Sequence, residues 1–247
     1  MLSEHLLSHP GTAAFIGSGG KTSLIARCAA KLAEKGKKVI VCTTTHIYPF
    51  PDMPLFLTRE GEDAGRLLSG LESVKEGAVC IGTPAADGKL TAPLVPIVRL
   101  SALADYCLVE ADGAARHPLK AHASHEPVIP EGTVNTICVF GLGGFGLPAA
   151  QAVHRSELFL TRLAQSGCRF SGDDPAVTPA MAAAVFEAEK TGAGTIFLNQ
   201  ADLPGAEKAA DEFIHALKGG PYKIFTGSAR EGTLLRQDLL SPRPVHS

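Results

Sequence analysis

The residues best suited to chemistry form a glycine-rich stretch near the amino end of the chain, within residues 15–23. Glycine tolerates positive φ and lets backbone N–H groups approach an anion, and a helix that starts just after it adds positive charge from its dipole. A lysine and a threonine at that helix start can reach the β- and γ-phosphates and bind Mg²⁺. We therefore predict a loop that binds ATP or GTP. Its residues are Gly17, Ser18, Gly19, Gly20, Lys21, Thr22 and Ser23.

This loop is two residues shorter than the full P-loop pattern. Gly-x-x-x-x-Gly-Lys-[Ser/Thr] requires a glycine five residues before Gly20, where this chain has Phe15. The Gly-x-x-Gly-Lys-Thr found here resembles the short loop of the Mur ligase type of ATP-binding domain. A glycine-rich turn without a ligand is the alternative, but the position at a predicted strand-to-helix junction favours a phosphate loop.

Two carboxylates follow an apolar run further along the chain. Residues 105–109 predict a buried strand, and Glu110 and Asp112 come directly after it. Carboxylates at such a strand end, downstream of a phosphate loop, are typical Mg²⁺ ligands. We predict that Thr22, Glu110 and Asp112 bind Mg²⁺ and that Lys21, Glu110 and Asp112 are catalytic. A plain strand-end turn is the alternative.

A further set of polar residues is predicted to contact a second substrate. Its first members follow the predicted strand 39–42 and are therefore expected at the same rim of the sheet as the loop. Strand propensity together with a turn is the alternative explanation for these threonines. The others lie in a proline-rich segment and just beyond it. The full set is Thr43, Thr44, Thr45, His46, Lys120, His125, Glu126 and Arg155.

The histidines at positions 117, 122 and 125 also raise the question of a zinc site. However, the spacing His-x₄-His-x₂-His-Glu matches no standard zinc motif, and two prolines break any helix. A loop folded over the substrate is the preferred interpretation, in which Arg116 and Lys120 supply positive charge.

Two predicted strand ends are similar to the base-recognition elements of GTPases. In those proteins Asn-Lys-x-Asp ends one strand and Ser-Ala-Lys ends the next. Asn199, Asp202 and Ser228 match, whereas Gln200 replaces the lysine that stacks along the base. The Asp202 carboxylate can accept hydrogen bonds from guanine, but without the lysine both ATP and GTP remain open, as do turns without a ligand.

These residues require a parallel sheet, because the carboxyl ends of parallel strands share one rim. We predict an α/β fold of the P-loop NTPase type, with a mostly parallel sheet and helices on both faces. It forms a single domain over residues 1–247, with loop-rich inserts around 82–96 and 113–133. The remaining predicted strands cover residues 12–16, 78–81, 134–140, 195–198 and 222–225. Predicted helices cover residues 21–35, 59–71, 154–165, 179–189 and 207–217, and residues 241–247 form an extended tail.

Composition narrows the function classes. The chain has 247 residues, 45% hydrophobic and 19% charged, with a net charge of −2 and no basic block, which disfavours nucleic acid as a partner. No apolar run reaches membrane-spanning length and the start lacks a signal pattern, so we expect a cytoplasmic protein. The six cysteines are widely separated and lie mostly in apolar runs, which predicts buried thiols.

Several blocks in order along the chain resemble the YqeC family. The most specific are Glu-Ala-Asp-Gly at 110–113 and His-Glu-Pro-Val-Ile-Pro at 125–130, joined by the phosphate loop, the threonines and Asn199 to Asp202. The resemblance implies an accessory protein for selenium-dependent molybdenum hydroxylases that helps to make or insert a labile selenium cofactor. We expect a Mg²⁺-dependent NTPase or phosphoryl-transfer enzyme whose partner is the hydroxylase or its cofactor. The alternatives are a nucleotide-gated carrier or chaperone and an enzyme similar to molybdopterin nucleotidyltransferases.

Overall fold

The structure is a computed structural model that describes residues 2–61 and 63–241. It divides into two compact units that alternate along the chain. The first comprises the residues up to Ile16, Lys21–Gly113 and Val128–Thr136, and the second comprises Gly17–Gly20, Ala114–Pro127 and the residues from Ile137 onward. The predicted extended tail lies outside the described residues, apart from Ser241.

The first unit is an α/β arrangement. Its elements in chain order are α1 (Leu2–Leu7), β1 (Gly11–Gly17), α2 (Lys21–Ala33), β2 (Lys38–Thr43), β3 (His46–Ile47), β4 (Leu55–Leu57), α3 (Ala64–Ser73), β5 (Gly77–Pro84), β6 (Leu90–Thr91), α4 (Ile97–Ser101) and β7 (Tyr106–Glu110). Four strands run parallel in the order β1-β7-β2-β5, and β4 is also parallel to β5. The short strand β6 is antiparallel to both β5 and β3.

The core of the first unit explains these elements. The strands β2, β5 and β7 bring together Ile40, Ile81 and Val109, which are fully buried. Leu71 of α3 and Leu100 of α4 pack on the same cluster. Strands buried on both faces read as continuous apolar runs, which is the pattern of residues 39–42.

The second unit repeats the α/β pattern. Its elements in chain order are β8 (Leu119–Lys120), β9 (Thr133–Gly141, from Ile137 onward in this unit), α5 (Ala149–Ala152), β10 (Val153–His154), α6 (Ser156–Gln165), α7 (Pro179–Glu189), β11 (Thr195–Asn199), α8 (Ala206–Ala216), β12 (Tyr222–Ser228) and β13 (Thr233–Leu240). The strand order is β9-β11-β12-β13, parallel except for β13, and β8 and β10 form a separate parallel pair. The rings of Phe140, Phe186 and Phe213 meet in its core.

The predicted fold class is confirmed, since the structure is α/β with a mostly parallel sheet flanked by helices. Within the predicted insert at 82–96, Asp87 and Gly88 have positive φ, and β5 and β6 pair antiparallel on either side of them. The prediction for the cysteines holds as well. All six lie within the described residues as thiols, five buried and Cys168 half-buried.

Several predicted boundaries were wrong, and two of them have a local reason. The strand predicted at 78–81, for example, runs from Gly77 to Pro84. The helix predicted from Arg59 begins at Ala64, because the Asp63 side chain caps it by accepting a hydrogen bond from Gly65 N at 2.8 Å. The helix predicted from His154 begins at Ser156, because His154 pairs with β8 and Arg155 has a φ of 63°.

The strand predicted to be the last was also wrong in extent. It runs from Tyr222 to Ser228 and is followed by the antiparallel strand β13, which the sequence analysis did not predict. In the described part of the chain, no helix is long and apolar enough to cross a membrane.

Candidate functional site

A buried lysine and two carboxylates meet in the first unit. Lys21, the first residue of α2, lies with its Nζ 2.9 Å from Asp112 Oδ1 and 3.8 Å from Glu110 Oε1. Lys21 is 4% exposed, Glu110 7% and Asp112 0%. The neighbouring Thr22 donates its hydroxyl hydrogen to Glu110 Oε2 at 2.9 Å. The structure therefore brings together all the residues predicted to be catalytic or to bind Mg²⁺.

The donor set fits Mg²⁺. It offers two carboxylates and one hydroxyl, and Mg²⁺ prefers such oxygen ligands in small numbers, with waters and phosphates completing its octahedron. Two carboxylates lie beside one ammonium group, Lys21 Nζ, and carboxylates of this kind suit a divalent cation beside an anionic ligand. Within the described residues, no group of three or more His, Cys, Asp or Glu side chains is arranged to hold a metal ion by itself.

The threonines at the end of β2 donate hydrogen bonds to two backbone carbonyls, one at the end of β7 and one in the segment before β9. Thr43 Oγ1 donates to the Glu110 backbone carbonyl at 2.8 Å, and Thr44 Oγ1 donates to the Val128 carbonyl at 2.8 Å. Thr45 N donates to Thr43 Oγ1 at 2.9 Å, which closes a tight turn. These contacts hold Glu110 in place, and they occupy hydroxyls that the sequence analysis assigned to a substrate.

The glycine loop of the second unit, Gly17–Gly20, packs closely against its own surroundings. A Cβ on Gly19 would lie 2.2 Å from Gly141 N, and one on Gly17 would lie 2.4 Å from Val139 O. Gly17, Gly19 and Gly20 also have positive φ. Both the backbone conformation and the lack of space for a side chain therefore require glycine in this loop. The Ser18 N–H donates to Val139 O at 2.8 Å, so a phosphate would have to be held by N–H groups that follow Ser18.

One side chain ties this loop to a second strand end. Asn199, the last residue of β11, is 4% exposed. Its Nδ2 donates to the Gly19 carbonyl at 2.8 Å, and its Oδ1 accepts from Ala229 N at 2.9 Å. The structure therefore places the predicted phosphate loop beside the segment that follows β12, where the sequence analysis expected contact with the base.

Asp202 and Ser228 lie together as predicted, with a partner that the sequence did not reveal. A hydrogen bond from Ser228 lowers the pKa of Asp202, and Arg230 Nη2 lies 2.8 Å from Asp202 Oδ2. The Arg230 side chain is 77% exposed and can therefore move aside for a base. Gln200, in the place of the GTPase lysine, accepts from Gly143 N at 3.0 Å.

Three predicted substrate residues form a second charged group in the second unit. Glu126 Oε2 accepts from Lys120 Nζ at 2.9 Å and from Arg155 Nη1 at 2.5 Å. Burial raises the pKa of Glu126, but the hydrogen bonds from Arg155 and Lys120 outweigh it and lower that pKa to about 2. Burial, together with the same cations, lowers the pKa of His154. Glu126 is therefore ionised at neutral pH.

An ionic cluster that the sequence analysis missed lies in the second unit. Glu189, at the end of α7, accepts from the backbone N of His122 at 2.8 Å and lies 2.5 Å from its Nδ1. Arg162 also donates to Glu189. The Glu189 side chain is only 4% exposed, so these contacts satisfy a buried carboxylate. No local pattern could have found a partner 67 residues away from His122.

Three of the other predicted site residues lie at the surface. His46 and His125 are exposed, and so is Ser23 on α2. His46 takes part in the short β3–β6 pairing. His117 directs its Nδ1 toward Gln151 O at 3.0 Å, while its backbone carbonyl accepts from Ser18 Oγ. The three histidines weighed as zinc ligands therefore have different surroundings.

The fold and these groups define an α/β protein with a strand, glycine loop and helix at its amino end. The family model described as YqeC protein matches residues 13–157, more than half of the chain. The chain therefore belongs to the YqeC family, as the sequence blocks indicated. A curated relative from Escherichia coli (strain K12), "Uncharacterized protein YqeC", is 31% identical over 156 residues, covering 61% of this chain and 59% of that protein.

The matched part contains the glycine loop, the acidic strand end and the Glu126 group. Asn199, Asp202 and Ser228 lie beyond it. The chain spans about three fifths of the length of the curated relative that it matches.

Proposed function

We propose that the protein binds a nucleoside triphosphate with Mg²⁺ and uses it in the maturation of a selenium-dependent molybdenum hydroxylase. The nucleotide part of this proposal rests on one observation. The Asn199 side chain bonds to both Gly19 of the glycine loop and Ala229 of the segment after β12. A phosphate loop and a base-contacting segment must be adjacent if one nucleotide is to reach both.

The ionisable residues of the first unit suit the phosphate end. Lys21 exchanges its carboxylate partners for β- and γ-phosphate oxygens, to which an ammonium binds as a point charge. Thr22 and Glu110, which already share a hydrogen bond, would hold the metal together with Asp112. The bound metal would offset charge on the phosphates and leave little covalent work for the protein.

The Glu126 group, which includes Lys120 and Arg155, would contact a second substrate. Lys120 and Arg155 place two cationic groups next to Glu126, and such groups suit contact with an anionic substrate. Because the family resemblance implies an accessory role for molybdenum hydroxylases, we propose that this substrate belongs to the hydroxylase cofactor pathway.

Calorimetric titration of the full chain with ATP and with GTP, each with Mg²⁺, tests the proposal. We expect micromolar binding of at least one nucleotide and its loss in Lys21→Ala, with an unchanged circular dichroism spectrum. Asp202→Ala should weaken GTP more than ATP, because guanine offers the carboxylate two adjacent donors, N1–H and N2–H₂, and adenine has no such pair. Absence of binding to both nucleotides, or an unchanged affinity of Lys21→Ala, would refute the proposal.

The fate of the nucleotide separates the alternatives. Release of phosphate in the presence of the hydroxylase indicates an NTPase. Binding with no release under any condition indicates a nucleotide-gated carrier. Pyrophosphate as the product indicates nucleotidyl transfer.

A further inference from the structure

The strand β13 lies at the end of the strand order of the second unit. It pairs antiparallel with β12, from Tyr222 opposite Leu240 to Ser228 opposite Thr233. Among residues 2–61 and 63–241, no strand pairs with its outer edge. An exposed edge of this length is normally protected by charge, proline or a cover, because its N–H and C=O groups can pair with another chain.

This edge carries exposed leucines. Leu235 is 52% exposed and Leu239 71% exposed, and both belong to the outward face of an alternating strand. The register with β12 skips Leu235, because Thr226 pairs with Arg236 and Gly227 pairs with Leu234, whereas the pairing from Arg236 to Leu240 is regular. The outermost strand therefore presents exposed leucines beside an edge with which no described strand pairs.

The sequence of β13 is complementary to its own reverse. Leu234-Leu235-Arg236-Gln237-Asp238-Leu239-Leu240 has leucine pairs at both ends and opposite charges on either side of Gln237. If two such strands pair antiparallel about a two-fold axis at Gln237, Leu235 meets Leu239 of the second copy. Arg236 then meets Asp238 of the second copy, so that apolar and oppositely charged side chains face each other.

Charge selects this register. A shift of one residue in either direction places Leu235 opposite Asp238, or Arg236 opposite Leu239. It also moves side chains to the wrong face. In the isolated chain Arg236 already contacts Asp238 at 3.1 Å and Asp211 at 2.5 Å, so a second copy would extend an existing ionic network.

We propose that two copies of this chain associate edge to edge through β13, antiparallel, with the two-fold axis at Gln237. The occupant is a second copy because a two-fold interface requires each patch to be complementary to itself, and this strand meets that requirement residue by residue. The interface is independent of the proposed nucleotide site. One strand pair buries less than the roughly 1,200 Å² of a standard interface, so we expect association at micromolar concentration.

Cysteine cross-linking tests the register. In a Cys168→Ser background, which removes the one cysteine that is not buried, Gln237→Cys places two thiols at the axis. Thr233→Cys, on the same face, is the matched control, because the two copies of residue 233 would lie about 26 Å apart. We expect covalent dimers from Gln237→Cys under mild oxidation and none from Thr233→Cys. Equal cross-linking of both variants, or of neither, would overturn the proposal.

Sedimentation equilibrium tests the association without cross-linking. We expect a monomer–dimer equilibrium for the unmodified chain and a dissociation constant raised about tenfold or more by Leu239→Lys, since each copy loses its leucine contact and gains a charge. Leu203→Lys alters another leucine, 40% exposed and outside β13, and should change nothing. A monomer at all concentrations, or equal effects of the two lysines, would contradict the interface.

Discussion

Replacement of Asn199 tests the connection between the glycine loop and the segment after β12. Asn199→Ala removes a donor to Gly19 O and an acceptor from Ala229 N, and both groups are buried. Each buried polar group left without a partner costs about 1–3 kcal/mol. We therefore expect the free energy of unfolding to fall by about 2–6 kcal/mol, with loss of nucleotide binding.

Asn199→Asp is the sharper variant, because it has the same shape. It keeps the bond from Ala229 N, but at neutral pH it points a carboxylate oxygen at the Gly19 carbonyl in place of the Nδ2 that lay 2.8 Å away. Burial and that carbonyl both raise the folded-state pKa of the new carboxyl above the value near 3.9 in the unfolded chain. Once protonated, the carboxyl can donate to Gly19 O as asparagine does.

The sign of the pH dependence follows from this raised pKa. Above the folded-state pKa, Asn199→Asp has a lower free energy of unfolding than the unmodified chain. This difference in stability disappears as the pH falls toward about 4. The chain has no tryptophan, so urea unfolding is best followed by circular dichroism, at pH 8 and at pH 4. A deficit below about 0.5 kcal/mol for Asn199→Ala, or one for Asn199→Asp that is equal at both pH values, would refute the reasoning.

Two other substitutions follow from the geometry of the second unit. Gly19→Ala should cost at least about 3 kcal/mol in urea unfolding, because its Cβ would lie 2.2 Å from Gly141 N. Gly172→Ala, at a similar positive φ but in open space, should cost only about 1 kcal/mol, and equal costs would argue against the clash. Glu126→Gln should cost about 3 kcal/mol at pH 7 by leaving Lys120 and Arg155 without their carboxylate. Because the pKa of Glu126 is lowered from 4.5 to about 2, that difference should shrink as the pH falls through this window; a constant difference would contradict the assignment.

The sequence predicted what depends on local pattern. Apolar runs without alternation located the buried parallel strands, and the glycine–lysine–threonine junction located the turn into α2. Because parallel strands end at one rim, the order of elements alone brought Lys21 toward Glu110 and Asp112. Family blocks along the chain led to the YqeC family, which the match over residues 13–157 confirms.

The sequence could not predict contacts that depend on distant partners. The carboxylate of Glu189 is paired with His122 and Arg162 only because α6, α7 and the segment before β9 fold together. The strand β13 has the alternation of an edge strand, but its mixture of leucines and charges did not distinguish it from a loop. The sequence could not show that the hydroxyls of Thr43 and Thr44 bond the backbone carbonyls of Glu110 and Val128 instead of a substrate.

A crystal structure of the full chain with Mg²⁺ and a non-hydrolysable triphosphate analogue tests the central claim most directly. We predict that the β- and γ-phosphate oxygens lie within hydrogen-bond distance of Lys21 Nζ and of backbone N–H groups that follow Ser18. The metal should then contact Thr22 and one of the carboxylates of Glu110 and Asp112. An analogue bound elsewhere, with Lys21 still paired to Asp112, would contradict the account.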